Sequence, residues 1–251
     1  MKKILLLISF LYCSTFISSQ TLTQVSTIDA LLAGYYDGVM PLNELITYGN
    51  FGIGTFNELD GEMIVHNGVI YQFKADGKLY KAELTNSTPF AAVVQFEPNE
   101  TLSVQSIKSY KDFEDLINNS IHNRNLMYAI KVSGDFSFMK TRTVPAQQKP
   151  YKPLAEVTKT QPIFEMNEID GTLIGFLLPP YTAGINVPGF HLHFISDDLT
   201  FGGHVLEFSI KNAEIQIQSI NKFSMILPED SEFGKVDLSK DRAEELHKVE
   251  K

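Results

Sequence analysis

Three histidines lie close together in the sequence, at positions 191, 193 and 204, and imidazole nitrogens are common metal ligands. His191 and His193 are separated by one residue, so they would share one face of an extended strand. The polar stretch 196–200 predicts a turn, and the apolar run after it predicts a second strand that carries His204. Such a hairpin would place three neutral imidazoles around one open position, which is the ligand set of a catalytic zinc site.

The same histidines have a simpler interpretation, in which they line a polar strand edge without binding a metal. Asp197 and Asp198 are close to them in sequence, but carboxylates in a predicted turn commonly accept hydrogen bonds from the local backbone. Glu207 is three residues from His204, an odd spacing that would turn it to the opposite strand face. The histidine pattern therefore indicates a metal site without specifying a reaction.

Two other charged residues are candidates for the surroundings of that site. Glu62 follows the turn pair Asp60-Gly61, which by itself is typical of a surface acid beside a turn. Arg142 lies on an alternating strand, where its guanidinium could be a solvated edge charge or could bind a carboxylate through two hydrogen bonds. Sequence pattern alone does not choose between these interpretations.

The elements that would position these residues are mainly strands. Asn-Gly and Asp-Gly pairs over residues 60–77 separate short apolar runs and predict an antiparallel meander. Gly49, Gly52 and Gly54 lack the spacing of a nucleotide-binding loop and instead indicate close approach between strands. Further turns are predicted at 133–135 and 170–171, and helices at 26–32, 41–46, 109–121 and 239–249, the last docking through Leu238, Ala243, Leu246 and Val249.

The composition is that of an ordinary globular protein, with 251 residues of which 43% are hydrophobic and 20% are charged. A proline-rich stretch over 145–153 predicts a connector between two halves, residues 20–145 and residues 146–251. The formal net charge is -9, and so acidic a chain lacks the clustered positive charge that binding to phosphate groups requires. We therefore expect no nucleic-acid partner.

Residues 1–19 predict a secretory signal peptide, because Lys2 and Lys3 precede a short apolar run that ends near small residues. No later stretch reaches the roughly 20 apolar residues that a membrane helix needs, so we expect no membrane segment in the mature form. The single cysteine, Cys13, lies in the signal, which would leave the mature chain without disulfides or thiolate ligands. Loss of the two lysines would change the net charge from -9 to -11. We expect an exported protein, periplasmic or extracellular.

Several motifs together resemble the alpha-acetolactate decarboxylase family, over essentially the whole mature chain. The combination of a G-T-F-N-x-L-D-G-E motif, an arginine strand and a three-histidine hairpin is specific to that family. The segments that carry the resemblance are residues 36–38 (YDG), 48–62 (YGNFGIGTFNELDGE), 71–72 (YQ), 75–77 (ADG), 140–145 (KTRTVP), 188–194 (PGFHLHF) and 202–204 (GGH).

The resemblance implies three groups of site residues. They are the zinc ligands His191, His193 and His204, the catalytic residues Glu62, Arg142 and Glu250, and the pocket residues Thr55 and Leu59. Glu250 is matched by its position in the C-terminal tail alone, so Glu244 and Glu245 are alternatives to it.

The reaction that the resemblance implies is zinc-dependent decarboxylation of (S)-2-acetolactate to acetoin and carbon dioxide. The substrate's hydroxyl and ketone oxygens lie on adjacent carbons, so both could bind one zinc ion, which would take up electron density as carbon dioxide leaves. Arg142 would orient the substrate, and Glu62 or Glu250 would return a proton. The family's fold is mixed α/β, or α+β, in which a mixed sheet and a barrel-like sheet with few helices form two closely packed β-rich halves. Its members commonly form homodimers.

Two other classes of protein remain open from the residues alone. One is a different three-histidine zinc enzyme, either a hydrolase or hydratase or a cupin-like enzyme in which Asp197 would follow the histidine pair. The other is a secreted β-protein that binds metal or sugar structurally. A structural zinc site would be closed by a fourth protein ligand, whereas a catalytic site keeps that position open.

Overall fold

The computed structural model describes residues 21–250, so the predicted signal peptide, residues 1–19, lies outside the described residues. Strands dominate this part of the chain. They are β1 Thr21–Val25, β2 Met40–Pro41, β3 Phe51–Thr55, β4 Glu62–His66, β5 Val69–Phe73, β6 Leu79–Lys81, β7 Ser87–Thr88, β8 Ala91–Val94, β9 Glu100–Ile107, β10 Met127–Arg142, β11 Ile163–Leu178, β12 Gly189–Ser196, β13 Gly202–Ile220 and β14 Lys222–Ile226. The α-helices are α1 Ile28–Leu32, α2 Leu42–Leu45, α3 Tyr110–Ser120, α4 Leu154–Val157 and α5 Ala243–Val249.

Two sheets form the body of the molecule. The first has seven strands in the order β14-β1-β8-β3-β4-β5-β6 and is mixed, because β1 and β14 are parallel while the other pairs are antiparallel. The second has five antiparallel strands, and β13 pairs with β10 as well as with β12, so β10, β11, β12 and β13 close into a ring. The predicted mixed sheet, barrel-like sheet and few helices are confirmed.

Glycines in β3 allow close approach between strands, as the sequence predicts. A β-carbon on Gly52 would collide with the carbonyl oxygen of Ala92, and one on Gly54 would collide with that of Phe90, both next to or within β8. The meander β3-β4-β5 is antiparallel, also as predicted. This packing fixes β3, whose partner β4 begins with Glu62 of the D-G-E motif and is an interior strand of the seven-stranded sheet.

The predicted turns at 133–135 and 170–171 are wrong, because β10 and β11 run straight through these positions. Gly134 faces Gly171 directly across the two strands, and shifts of register on β13 follow at Asp135 and Phe136. Glycine here lets neighbouring backbones approach, since a β-carbon on Gly134 would collide with the carbonyl oxygen of Asn212. The two glycines therefore mark an irregularity within long strands of the ring, not chain reversals.

The boundary between the two sheets does not fall at residue 145 of the sequence. Strands β9 and β10 precede the connector but belong to the five-stranded sheet, whereas β14 follows it and belongs to the seven-stranded sheet. The predicted halves, 20–145 and 146–251, are therefore not a division between the two sheets. Among residues 21–250, no helix is both long and apolar enough to cross a membrane.

The C-terminal helix is shorter than predicted, since α5 begins at Ala243. Val249 is 2% exposed and packs with Leu246 against a core cluster that includes residues of α1 and α4. Ala243 is exposed and Leu238 is 39% exposed, so these two predicted docking residues do not dock. Two apolar side chains of this seven-residue helix, Leu246 and Val249, hold it against the body.

Candidate metal centre and substrate pocket

The three histidines meet on the five-stranded sheet. His191 and His193 alternate along β12, and His193 is directly opposite His204 on β13. The three ring centroids are 5.0 to 5.4 Å apart, and one nitrogen from each ring lies within 4.8 Å of the others. All three side chains are buried, with His193 only 1% exposed. The predicted hairpin therefore forms and brings its three histidines together.

The nitrogen atoms of these rings suit a metal ion. The Nδ1 atom of His193 lies 2.8 Å from the carbonyl oxygen of Met63 and donates to it, which leaves a lone pair on Nε2. Nε2 of His193 and Nδ1 of His191 are buried and have no hydrogen-bond partner in the described structure. Buried lone pairs without a partner are costly, and a bound cation would satisfy them.

Burial keeps the three imidazoles neutral, which is the form that binds metal. It lowers the pKa of His191 to about 3, with a further lowering from the Arg142 guanidinium. The pKa values of His193 and His204 are also lowered well below the usual range, again mainly by burial. Three neutral nitrogen donors fit a zinc ion and match the three-ligand set of a catalytic site.

Two carboxylates and one guanidinium lie beside the histidines. Arg142 is only 4% exposed and directly opposite His204 in the strand register. Its Nη1 atom is 3.6 Å from Oε1 of Glu62, and its Nη2 atom is 3.7 Å from Oε1 of Glu250. The second oxygen of Glu62 is 3.4 Å from Nε2 of His193, and that of Glu250 is 3.6 Å from Nε2 of His204. Each glutamate thus lies between the arginine and one histidine, too far for short hydrogen bonds.

Burial also changes the acidity of the two glutamates. It raises the pKa of Glu62 to about 7, against the lowering effect of the Arg142 guanidinium and with a smaller raising effect from Glu250. Burial raises the pKa of Glu250 as well, and Arg142 again opposes the shift. Burial therefore favours the protonated form of both carboxyl groups.

The turn before β4 is held so that Glu62 points into the site. The hydroxyl of Thr55 donates to the carbonyl oxygen of Gly61 over 2.7 Å, and the amide of Gln72 donates to the carbonyl oxygen of Asp60 over 2.6 Å. Leu59 has a φ of 58°, a left-handed conformation that is costly for a large residue. Strain of this kind, fixed by hydrogen bonds on both sides, is typical of functional turns.

All eight site residues named from the sequence line one small cavity of about 40 Å³. They are Thr55, Leu59, Glu62, Arg142, His191, His193, His204 and Glu250. The cavity therefore brings together residues from both sheets and from the C-cap of α5.

The structure also distinguishes Glu250 from the alternatives near it. Glu245 instead pairs with Arg242 over 2.8 Å, and Glu244 is exposed.

Asp198 accepts hydrogen bonds from Ser196 and Thr200 within the turn, as the simpler interpretation predicts.

Sequence reasoning missed two kinds of contributor to the site. One is the backbone carbonyl of Met63, which fixes the ring of His193 and directly follows the D-G-E motif. The other is a set of apolar side chains that complete the cavity, among them Ile28, Val144 and Leu154. Apolar residues at these positions look like ordinary core in sequence, so nothing in the pattern distinguishes them.

The fold and the site together define a β-rich protein in which a buried cluster of three histidines, able to hold a metal ion, lies beside an arginine and two glutamates. A sequence profile of the alpha-acetolactate decarboxylase family matches residues 22–240. The chain belongs to the alpha-acetolactate decarboxylase family.

Individual relatives agree with this assignment. The alpha-acetolactate decarboxylases of Methanosarcina mazei and Methylococcus capsulatus are each 44% identical to the chain, covering 93% and 90% of it and 81% and 87% of their own lengths. The crystal structure of the Bacillus subtilis enzyme superposes with a TM-score of 0.89 at 39% identity, covering 92% of this chain and 99% of that one. A Staphylococcus aureus protein described as similar to alpha-acetolactate decarboxylase gives 0.88 at 33% identity, over 91% of this chain and 99% of its own.

Proposed function

We propose that this protein decarboxylates (S)-2-acetolactate to acetoin and carbon dioxide with a zinc ion held by His191, His193 and His204. The observation that carries the proposal is the cavity in which three neutral imidazoles face Arg142, the buried Glu62 and the partly buried Glu250. Membership of the decarboxylase family supports the choice of substrate. The pocket beside the histidines supports a catalytic rather than a structural metal site.

Zinc is the metal that the donor set supports best. Three imidazole nitrogens with adjacent carboxylates suit a borderline metal ion that prefers nitrogen and oxygen ligands. When bound, zinc would supply Lewis acidity toward the hydroxyl and ketone oxygens of the substrate.

Arg142 would bind and orient the anionic substrate. Its two terminal nitrogens are 3.6 and 3.7 Å from the oxygens of Glu62 and Glu250, which is too far for short hydrogen bonds. Both nitrogens can therefore donate to an incoming carboxylate or oxyanion. Arg142 is buried, and a charge in such a low-dielectric site acts more strongly than one in water. The guanidinium would hold the substrate so that its carboxylate can leave as carbon dioxide.

A glutamate would supply the proton that completes the reaction. Loss of carbon dioxide breaks one carbon–carbon bond and leaves the electron pair on the substrate, where it is shared with the ketone oxygen. Acetoin forms when that carbon gains a proton, and Glu62 or Glu250 would give it, since their carboxylates lie beside His193 and His204. The donating carboxyl group then regains a proton from water. The side from which the proton comes sets the configuration of acetoin.

The direct test is to incubate the purified protein with racemic 2-acetolactate and to measure acetoin and carbon dioxide. We expect the two products in equal amounts, from the (S) enantiomer first, and loss of activity in the presence of a chelator. Spontaneous decarboxylation is measured in parallel without protein. Acetoin formation no faster than this background, with metal present, would contradict the proposal.

We propose in addition that residues 1–19 direct export and are removed. The support is the basic start followed by a short apolar run in the sequence. Mass spectrometry of the protein recovered outside the cytoplasm of the producing cell would give the mature N-terminus. A protein that retains residues 1–19 and stays in the cytoplasm would contradict the proposal.

We also propose that the protein forms a homodimer through β14. This strand is at the end of the seven-stranded sheet, and its side chains Phe223 and Met225 are 37% and 39% exposed on alternate positions. Two copies of one edge strand can pair antiparallel about a twofold axis. Light scattering should give twice the mass of one chain, and Met225→Lys should lower it. A monomer at micromolar concentration would contradict this.

A further inference from the structure

The catalytic cavity has an apolar wall as well as a polar face. The wall consists of side chains that are 2% to 7% exposed and that all belong to one core cluster around α1 and α4. They are Ile28, Leu31, Leu59, Phe90, Val144, Leu154 and Val249. The proposed chemistry uses the metal ligands, the arginine and the glutamates, and it gives these seven residues no task.

The wall backs onto packed core, whereas the part of the lining formed by His204 and Glu250 adjoins open space. A groove of about 790 Å³ lies on that side, and its lining shares His204 and Glu250 with the cavity. Glu250 caps α5, which is held by only two apolar side chains. The groove therefore reaches the cavity at Glu250 and not through the wall.

The proposed substrate has two methyl groups beside its oxygen atoms. The oxygens match the polar face, so the methyl groups must rest on the wall. The cavity of about 40 Å³ is much smaller than the roughly 150 Å³ cavity that accepts a benzene ring. Even with Glu250 displaced, a close-packed wall leaves little space for a larger alkyl group.

We infer that Val144 and Leu154 limit the size of the alkyl group on the carbon that carries the substrate's carboxylate, so that methyl is accepted and ethyl is disfavoured. This inference rests on the proposed function. Val144 lies two residues after Arg142, next to the group that would hold the carboxylate. Leu154 begins α4 and is 4% exposed, so it is fixed by both helix and core. These two side chains are the specificity-determining residues.

The test compares 2-acetolactate with the homologue that has ethyl in place of methyl on the carboxylate-bearing carbon. The ratio of the two kcat/KM values is measured for the native protein and for Val144→Ala and Leu154→Ala. Val157→Ala is the matched control, because Val157 is 4% exposed in the same core cluster and on the same helix as Leu154 but does not line the cavity. The ratio is independent of the fraction of folded enzyme, so moderate destabilisation does not affect it.

The native enzyme should prefer the methyl substrate by about 10- to 200-fold, the usual discrimination for one methylene in a tight apolar pocket. Val144→Ala and Leu154→Ala should each reduce that preference by about tenfold or more, and Val157→Ala should leave it unchanged. Equal use of both substrates by the native enzyme would overturn the inference, as would a preference unchanged in both lining variants or reduced equally in the control. Lack of activity toward both substrates would instead contradict the proposed function, and the inference with it.

Discussion

The guanidinium and the two carboxylates of the pocket stabilise one another's charge. Arg142 lies between Glu62 and Glu250, and an isolated charge at such depth would cost several kcal/mol. When both glutamates are ionised, the two carboxylates and one guanidinium have a net negative charge, which opposes binding of an anionic substrate. A dication on the histidines would reverse the sign of this net charge. Binding of the substrate should therefore depend on the metal as well as on Arg142.

The two glutamates can be separated by changing each to glutamine. Glu62→Gln and Glu250→Gln keep the shape of the side chain but remove its ability to give a proton, so turnover should fall by about 10²- to 10⁴-fold in the variant that lacks the donor. Glu244→Gln, an exposed position of α5, is the control and should keep full activity. Turnover and the configuration of acetoin are measured for each, and unchanged turnover in both pocket variants would contradict the proton-transfer scheme.

The predictability of the site differs from residue to residue. Alternation along a strand and a short turn were enough to predict that His191, His193 and His204 converge. Glu62 and Arg142 come from other strands far away in sequence, so only the resemblance to a family connected them with the histidines. The carbonyl of Met63 and the side chain of Leu154 carry no chemical signal in the sequence, and only the packed fold shows where they lie.

Helix α5 and its C-cap contribute Val249 and Glu250 to the lining of the pocket, although few apolar side chains of this helix contact the body. Val249 and Leu246 pack against the body, and the next residue, Glu250, reaches Arg142 and His204. The position of the Glu250 carboxylate thus depends on a short helix that has no side-chain N-cap. Because only Val249 and Leu246 of this helix pack in the core cluster, α5 should separate from the body more easily than the strands separate from one another.

Undocking α5 should abolish the contribution of Glu250 without unfolding the protein. Val249→Asp places a carboxylate in an apolar cluster, which is unfavourable enough to release the helix. We expect kcat to fall by about 10² or more, with zinc content unchanged and little change in melting temperature. Ala243→Asp introduces the same residue at an exposed position of the same helix and should be nearly neutral. Full kcat in Val249→Asp would show that α5 does not position a catalytic group.

Long strands were harder to predict than short ones. Residues around Gly134 and Gly171 have the composition of turns, yet β10 and β11 continue through them because the two glycines face each other in the ring. A local pattern cannot show this, since the partner that makes glycine favourable is far away in sequence. The meander β3-β4-β5 was predictable because its strands pair with their neighbours in sequence.

For the whole molecule, the site lies where the two sheets meet. Glu62 and Thr55 come from the seven-stranded sheet, and Arg142 and the histidines come from the five-stranded sheet. A metal at this position would bind only the folded protein, so it should stabilise the whole chain. The melting temperature should therefore rise when a metal occupies the three histidines.

Removal of the metal should therefore lower the melting temperature. At a metal concentration about 1,000 times the dissociation constant the stabilisation is about 4 kcal/mol, which for a chain of this size corresponds to roughly 8–16 °C. Scanning calorimetry with and without chelator measures the difference. A His204→Ala variant should melt at nearly the same temperature under both conditions. A native protein that is insensitive to the chelator would show that the histidines do not bind the metal.

Titration of metal-free protein with zinc, with acetoin formation as the readout, measures whether zinc on His191, His193 and His204 is needed for decarboxylation of acetolactate. We expect no activity above the spontaneous rate at the start, a linear rise, and a plateau at one zinc ion per chain. His193→Ala should stay at the spontaneous rate throughout. Full activity in the metal-free protein, or equal activity in His193→Ala, would show that the reaction does not need zinc on these histidines.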